Sequence, residues 1–261
     1  MRAALALVAH TWTTWFQYKG FFFLLAFGWM TQPLIFLLVW SNAAAFGAIG
    51  GYARGDFVAY YLVLILVNQL TFAQATWTVG DLIRDGTMNT ILLRPIAPIV
   101  DTVAAEIAGK VVFLSFAVPV AGLLLLVLSP ADVRLPGDPI LFVITLLAAW
   151  ALRFLWGYWL ALTAFWSTRS NALVLMQDAL VFVFAGQVAP TDLLPGGLRT
   201  VAEWLPFRYM LGFPIEVLLG RVHEGALTRG LILQIAWLTV AGGLAYSFWR
   251  LGVRRHAAVG G

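Results

Sequence analysis

Apolar residues run along this chain in long blocks separated by short polar interruptions, at 20–40, 57–78, 107–128, 139–165, 172–189 and 231–249. Each block is long enough to cross the hydrocarbon core of a bilayer as a helix. The pattern predicts an all-α integral membrane protein with six transmembrane helices in a single transmembrane domain over 1–261. Ahead of the first block, Leu5, Val8, Trp12, Trp15 and Phe16 share one helical face, while His10, Thr13, Thr14 and Gln17 share the opposite one. That 3.6-residue period predicts an amphipathic helix at 1–19 lying in the membrane interface, with Lys19 where the chain turns inward. A secretory signal peptide does not fit, because the run at 20–40 is too long for its apolar region and starts too late.

Two interruptions are long. The segment 190–230 contains LPFRYMLGFPIEVLLG, in which Pro206 and Pro214 break any continuous helix and Arg208 and Glu216 forbid contact with lipid at mid-depth. Short re-entrant or interfacial helices are expected there, since non-helical backbone at that depth must be buried in protein or line a cavity. The other, 79–106, contains DLIRDGTMNTILLRPIAP at 81–98. Asp81 to Asp85 continues the second span out of the membrane until Asp85-Gly86 turns the chain. Thr87 then caps a short helix whose Met88, Ile91 and Leu92 share one face, and Arg94-Pro95 and Pro98 end it. Two readings stand: a knob that docks a soluble partner, with Arg84, Asp85 and Arg94 setting its register, or a helix folded back on the membrane surface.

Composition confirms the class. The chain is 62% hydrophobic and 11% charged, with a mean hydropathy of +0.89, far too few charges to cover a soluble core. With no cysteine, thiol chemistry and disulfides are excluded. His10, His223 and His256 lie far apart without metal-ligand spacing, and the net charge of +4 comes with no basic stripe for nucleic acid. Arg2, Lys19, Arg84, Arg94, Lys110, Arg169, Arg250, Arg254 and Arg255 fall on one side of a six-span topology. Only Arg54 and Arg134 lie in short loops on the other side. The positive-inside rule therefore puts both termini and the 79–106 loop in the cytoplasm.

Polar residues inside the spans are the candidate chemistry. Asn68, Thr71, Gln74 and Thr78 line one face of the second span if it is one helix, either as interhelical hydrogen bonds or as a substrate path. Arg153 and Asp178 are the charges well inside the spans as drawn, on helices expected to be antiparallel neighbours. Insertion costs of about 2.5–3.5 kcal/mol for such a charge favour an ion pair fixing this hairpin; a direct role in substrate or proton movement is the competing reading.

The run RDGTMNTILLRPIAP resembles the cytoplasmic loop of ABC-2 type export permeases, in the branch whose short helix ends in Leu-Leu-Arg-Pro before the third span. LPFRYMLGFP followed by IEVLLG resembles that family's segment ahead of its last span. The resemblance implies a multi-pass subunit of a prokaryotic plasma membrane, paired with a second permease, identical or related, and with two cytoplasmic ATP-binding subunits. It makes residues 87–94 the coupling helix in a cleft of the ATPase, braced by the N-terminal helix, and 190–230 a re-entrant outer gate. ATP and Mg would then sit in the partner subunit, with no cofactor bound by this chain. Independently, Lys110 follows Gly109, but Ala104 and Val111 break the GxxxxGK[ST] pattern, so no P-loop is present. Two alternatives come from other classes. A proton-coupled secondary carrier would use Asp178 and Arg153; a lipid-modifying membrane enzyme would have only His10, His223 with Glu224, and Asp81 with Asp85 as raw material.

Overall fold

The structure, a computed structural model, describes residues 19–128 and 135–255. The expected interfacial helix at 1–19, with His10, falls almost wholly outside them. Eleven α-helices are described. The first half holds α1 (Lys19–Ala43), α2 (Arg54–Thr71), α3 (Ala75–Arg84), α4 (Thr87–Leu92) and α5 (Pro98–Val127). The second half holds α6 (Pro139–Leu162), α7 (Ser170–Phe184), α8 (Gly196–Trp204), α9 (Pro206–Met210), α10 (Gly212–Leu218) and α11 (Glu224–Arg255). Four helical stretches among the described residues are long and apolar enough to cross a membrane: Arg54–Arg84, Pro98–Val127, Pro139–Phe165 and Glu224–Arg255.

The apolar blocks mark where helices lie and misplace their ends. The block at 107–128 becomes a helix starting at Pro98, because proline suits a first helical turn and Asp101 puts an acidic side chain in that turn. The block at 231–249 extends in both directions to Glu224 and Arg255. The block at 172–189 ends early. Its helix, α7, has 15 residues, about 22 Å, and stops at Phe184 before Gly186 takes a left-handed turn at φ 83°. A side chain at Gly186 would strike the Tyr60 hydroxyl, which donates to the Gly186 carbonyl at 2.9 Å.

The second span is not one helix. Phe72 is extended (φ −54°, ψ 134°), so α2 ends at Thr71 and a new helix starts at Ala75. The expected single face of Asn68, Thr71, Gln74 and Thr78 is therefore divided between two helices.

Helix α6 is the central post, packed against α11, α3, α10, α2 and α7. It starts cleanly because Asp138 accepts the Ile140 and Leu141 amides at 2.7 and 3.2 Å, ahead of Pro139. The segment 190–230 folds into α8, α9 and α10. Tyr209, Met210, Leu211, Phe213 and Ile215 of it are wholly buried against α2, α6 and α11. Its two charges answer each other: Arg208 Nη2 meets Glu216 Oε2 at 2.5 Å, in a largely buried pair that closes α9 onto α10.

Helix α3 sits unusually close to α6. A Cβ on Gly157 would lie 1.9 Å from Thr76 Oγ1. Gly157→Val therefore overpacks this contact and lowers stability by about 1–3 kcal/mol. Unfolding of purified protein in mixed micelles measures it, with Gly243→Val, at a glycine with open space, as the control of equal side-chain change.

Candidate functional site

Three polar features converge along α2, α3 and α4. The first is a cavity of about 420 Å³ between α1, α2, α6 and α7, lined by Gln32, Pro33, Asn68, Phe72, Arg153, Asp178, Val181, Phe182 and Gln187, with Gly28 at its edge. Arg153 lies about 21 Å along α6 from Pro139, well inside the span. It is 5% exposed, and Nη1 donates to Asn68 Oδ1 at 2.9 Å and to Thr71 Oγ1 at 3.2 Å. Its guanidinium also covers the Phe72 ring, 5.4 Å from the centroid. The expected direct ion pair with Asp178 is not formed. Asn68 and Thr71 on α2 reach Arg153 first, and Asp178 stands elsewhere on the cavity wall, accepting a long 3.4 Å bond from Gln177. The far wall is tied down by the exit from α7: Gln32 Nε2 donates to Gln187 Oε1 at 3.0 Å, and Trp40 and Tyr61 both donate to the Val188 carbonyl at 2.8 Å.

The second feature is the break between α2 and α3. Breaking a helix leaves amides and carbonyls that hydrocarbon cannot satisfy. Two charges one turn apart on α5 satisfy them. Glu106 Oε1 accepts the Ala75 amide at 2.5 Å, and Lys110 Nζ donates to the Phe72 carbonyl at 2.6 Å. They also pair with each other at 3.6 Å, both largely buried. The sequence reading missed this clamp. The apolar pattern starts the third span at 107 and puts Lys110 among the cytoplasmic flanks, which leaves the i, i+4 Glu-Lys spacing without a role.

The third feature is α4. Gly86 turns the chain at φ 79° and Asp85 Oδ1 accepts the Thr87 amide at 2.9 Å. That bond holds the Asp85 carboxyl below the usual carboxylate range. Met88 does not face outward as expected. It is 2% exposed, packed with Val79, Ile83, Phe154 and Tyr158, and Ile91 and Leu92 pack beside it. The periodicity found the right face, but that face is what fastens α4 to α3 and α6. The outward residues are Asp85, Thr87, Thr90, Leu93 and Arg94, with Leu93 87% exposed. Gln74 and Thr78, parted from Asn68 and Thr71, line a second cavity of about 350 Å³ behind α4, with Met88, Ile91, Arg94 and Glu106. Arg84 donates to Ser170 Oγ at 2.5 Å and Asn171 Oδ1 at 3.1 Å, and pairs with Asp81, joining α3 to the start of α7. Arg94 reaches Asp101 at 3.2 Å. His223 and Glu224 are exposed at the opening of α11, and no hydrogen bond or ion pair among the described residues joins them to Asp81 or Asp85.

A family model described as ABC-2 family transporter protein matches residues 27–260. The chain belongs to the ABC-2 transporter family. No curated protein matches it. As a multi-pass membrane protein of this family it is a transporter subunit, and the polar features above are to be understood as parts of a permease.

Glu106→Leu strips the Ala75 amide and the Lys110 ammonium of a partner in the protein interior. The expected loss is about 3–5 kcal/mol, the range for breaking a buried pair. Glu106→Gln, which keeps the acceptor, loses much less. Unfolding of both variants in micelles checks the order.

Proposed function

We propose that this chain is the membrane-spanning subunit of an ATP-driven exporter, coupling ATP hydrolysis in separate cytoplasmic subunits to export of a substrate through the membrane. It works beside a second permease, identical or related, in a prokaryotic plasma membrane with both termini in the cytoplasm. ATP and Mg bind the partner ATPase. The segment 190–230 acts as the outer gate, and closure alternates across the permease pair as the ATPase subunits associate. Family membership supports the transporter role, and a sequence without the GxxxxGK[ST] motif is in keeping with ATP hydrolysis in a separate chain.

The observation that carries the coupling is Leu93. A leucine 87% exposed at the end of a short helix is an anchor for a groove on a partner, with Asp85, Thr87, Thr90 and Arg94 around it as a polar rim. Because α4 is fastened inward by Met88, a force on Leu93 is delivered to α3 as a body.

Leu93→Asp is expected to abolish ATPase co-purification, or to remove the dependence of ATP hydrolysis on the permease, while the variant melts like wild type. Ile91→Asp, whose side chain packs inward, is expected to lower stability in the permease alone. If Leu93→Asp leaves both assembly and coupled hydrolysis intact, this docking surface is wrong. A thiol reporter at position 90 should resist impermeant reagents added outside cells and react once the membrane is opened; labelling from outside would invert the topology.

A further inference from the structure

The cavity between α1, α2, α6 and α7 holds two opposite charges that attract each other across it without closing into a direct ion pair. Arg153 has five N–H donors, and its two hydrogen bonds both leave from Nη1, to neutral oxygens of Asn68 and Thr71. Nε and Nη2 make no hydrogen bond among the described residues, leaving the edge of the guanidinium that suits a bidentate anion. Asp178 lines the same cavity with only the long bond from Gln177. A buried cation whose hydrogen-bond partners are all neutral is costly, as is a carboxylate at this depth, so each favours a counter-charge closer than the one across the cavity. The contrast within the same protein is Arg208 and Glu216, which close on each other at 2.5 Å.

We propose that this cavity is a binding site for a zwitterionic group, its anion held by the free edge of Arg153 and its primary ammonium by Asp178. The cavity's volume, about 420 Å³, is within the usual range for a small ligand site. A lone anion would meet Asp178, and a lone cation would meet Arg153, each a like-charge contact in a poorly screened site. A dipolar group meets neither. The amides of Gln32, Gln187 and Asn68 supply neutral donors and acceptors, and Pro33, Phe72, Val181 and Phe182 supply apolar wall. Such a group comes either as a phosphoethanolamine lipid headgroup or as a free small zwitterion. The proposal builds on the export reading by naming the chemistry of its substrate.

The test is equilibrium binding to the purified full chain in phosphatidylglycerol nanodiscs, without ATP or an ATPase, so it stands or falls separately from the coupling experiment. The probes are radiolabelled lysophosphatidylethanolamine, lysophosphatidic acid, which lacks the amine, and free phosphoethanolamine as competitor. Wild type is expected to prefer the first over the second about tenfold or more, and Asp178→Asn to abolish that preference. Arg153→Gln is expected to weaken both by about tenfold or more. Arg153→Lys keeps the charge without the fork and falls between, which keeps the arginine's role testable if the glutamine variant does not fold. Competition by phosphoethanolamine identifies a free zwitterion as sufficient; its failure to compete, with lysolipid binding intact, assigns the site to a lipid headgroup. Equal affinity for the two lysolipids in wild type, a preference that survives Asp178→Asn, undiminished binding in a folded Arg153 variant, or no binding of any probe overturns the proposal.

Discussion

Inside a bilayer a helix cannot simply stop, because no water is there to take its loose ends, and the break at Phe72–Gln74 meets this constraint with three charged side chains. Their signs follow the helix dipoles. The carbonyl end of α2 is partially negative and receives Lys110 on the Phe72 oxygen and Arg153 on Asn68 and Thr71 in its last turn. The amide end of α3 is partially positive and receives Glu106 on Ala75. A continuous helix would deprive Glu106 and Lys110 of the Ala75 amide and the Phe72 carbonyl, leaving the two only each other in the interior. The break and the charges therefore complement one another, and Asn68, Thr71, Glu106, Lys110 and Arg153 gather around it.

The same side-chain types serve two ends in this fold, and distance separates them. Arg208 and Glu216 close to 2.5 Å between two short helices, where a direct pair staples chain that proline has already interrupted. Arg153 and Asp178 stand on different walls of a 420 Å³ cavity, with the arginine oriented by neutral neighbours. A closed pair leaves neither charge free for a third body; in the proposal above, separation leaves both available.

Much of the architecture was legible because burying or exposing apolar surface to lipid requires long apolar runs; four of the six blocks fall on helical stretches long enough to span, although α5 starts at Pro98 rather than 107. Proline and glycine also gave their usual signals at Pro98, Gly86 and Pro206. What the chain did not announce was the break after Thr71. Phe72-Ala73-Gln74 contains no helix breaker, and the interruption is imposed by Glu106 and Lys110 from another helix. Once the helix is broken, an i, i+3, i+6 face has no meaning across it, which is why Gln74 and Thr78 went to a different cavity from Asn68. Periodicity likewise identifies a face and not its direction. Met88, Ile91 and Leu92 form a stripe, but with Phe154 and Tyr158 of α6 beside them the stripe gains more from turning inward than from waiting for a partner.

Helix α3 is the element through which these features meet. Its first amide is held by Glu106, its side at Thr76 is pressed against Gly157 of α6, its last turn carries α4, and Arg84 binds the opening of α7 at Ser170 and Asn171. Asp178 lies on that same α7, about 12 Å further along its axis, while Arg153 is held from α2 on the other side of the break. In the proposed coupling, a push at Leu93 is passed to one wall of the cavity through Arg84 and to the other through the Phe72–Gln74 joint. The joint lacks the regular ladder of the helices it connects, so in that proposal it is where movement of α3 relative to α2 is taken up.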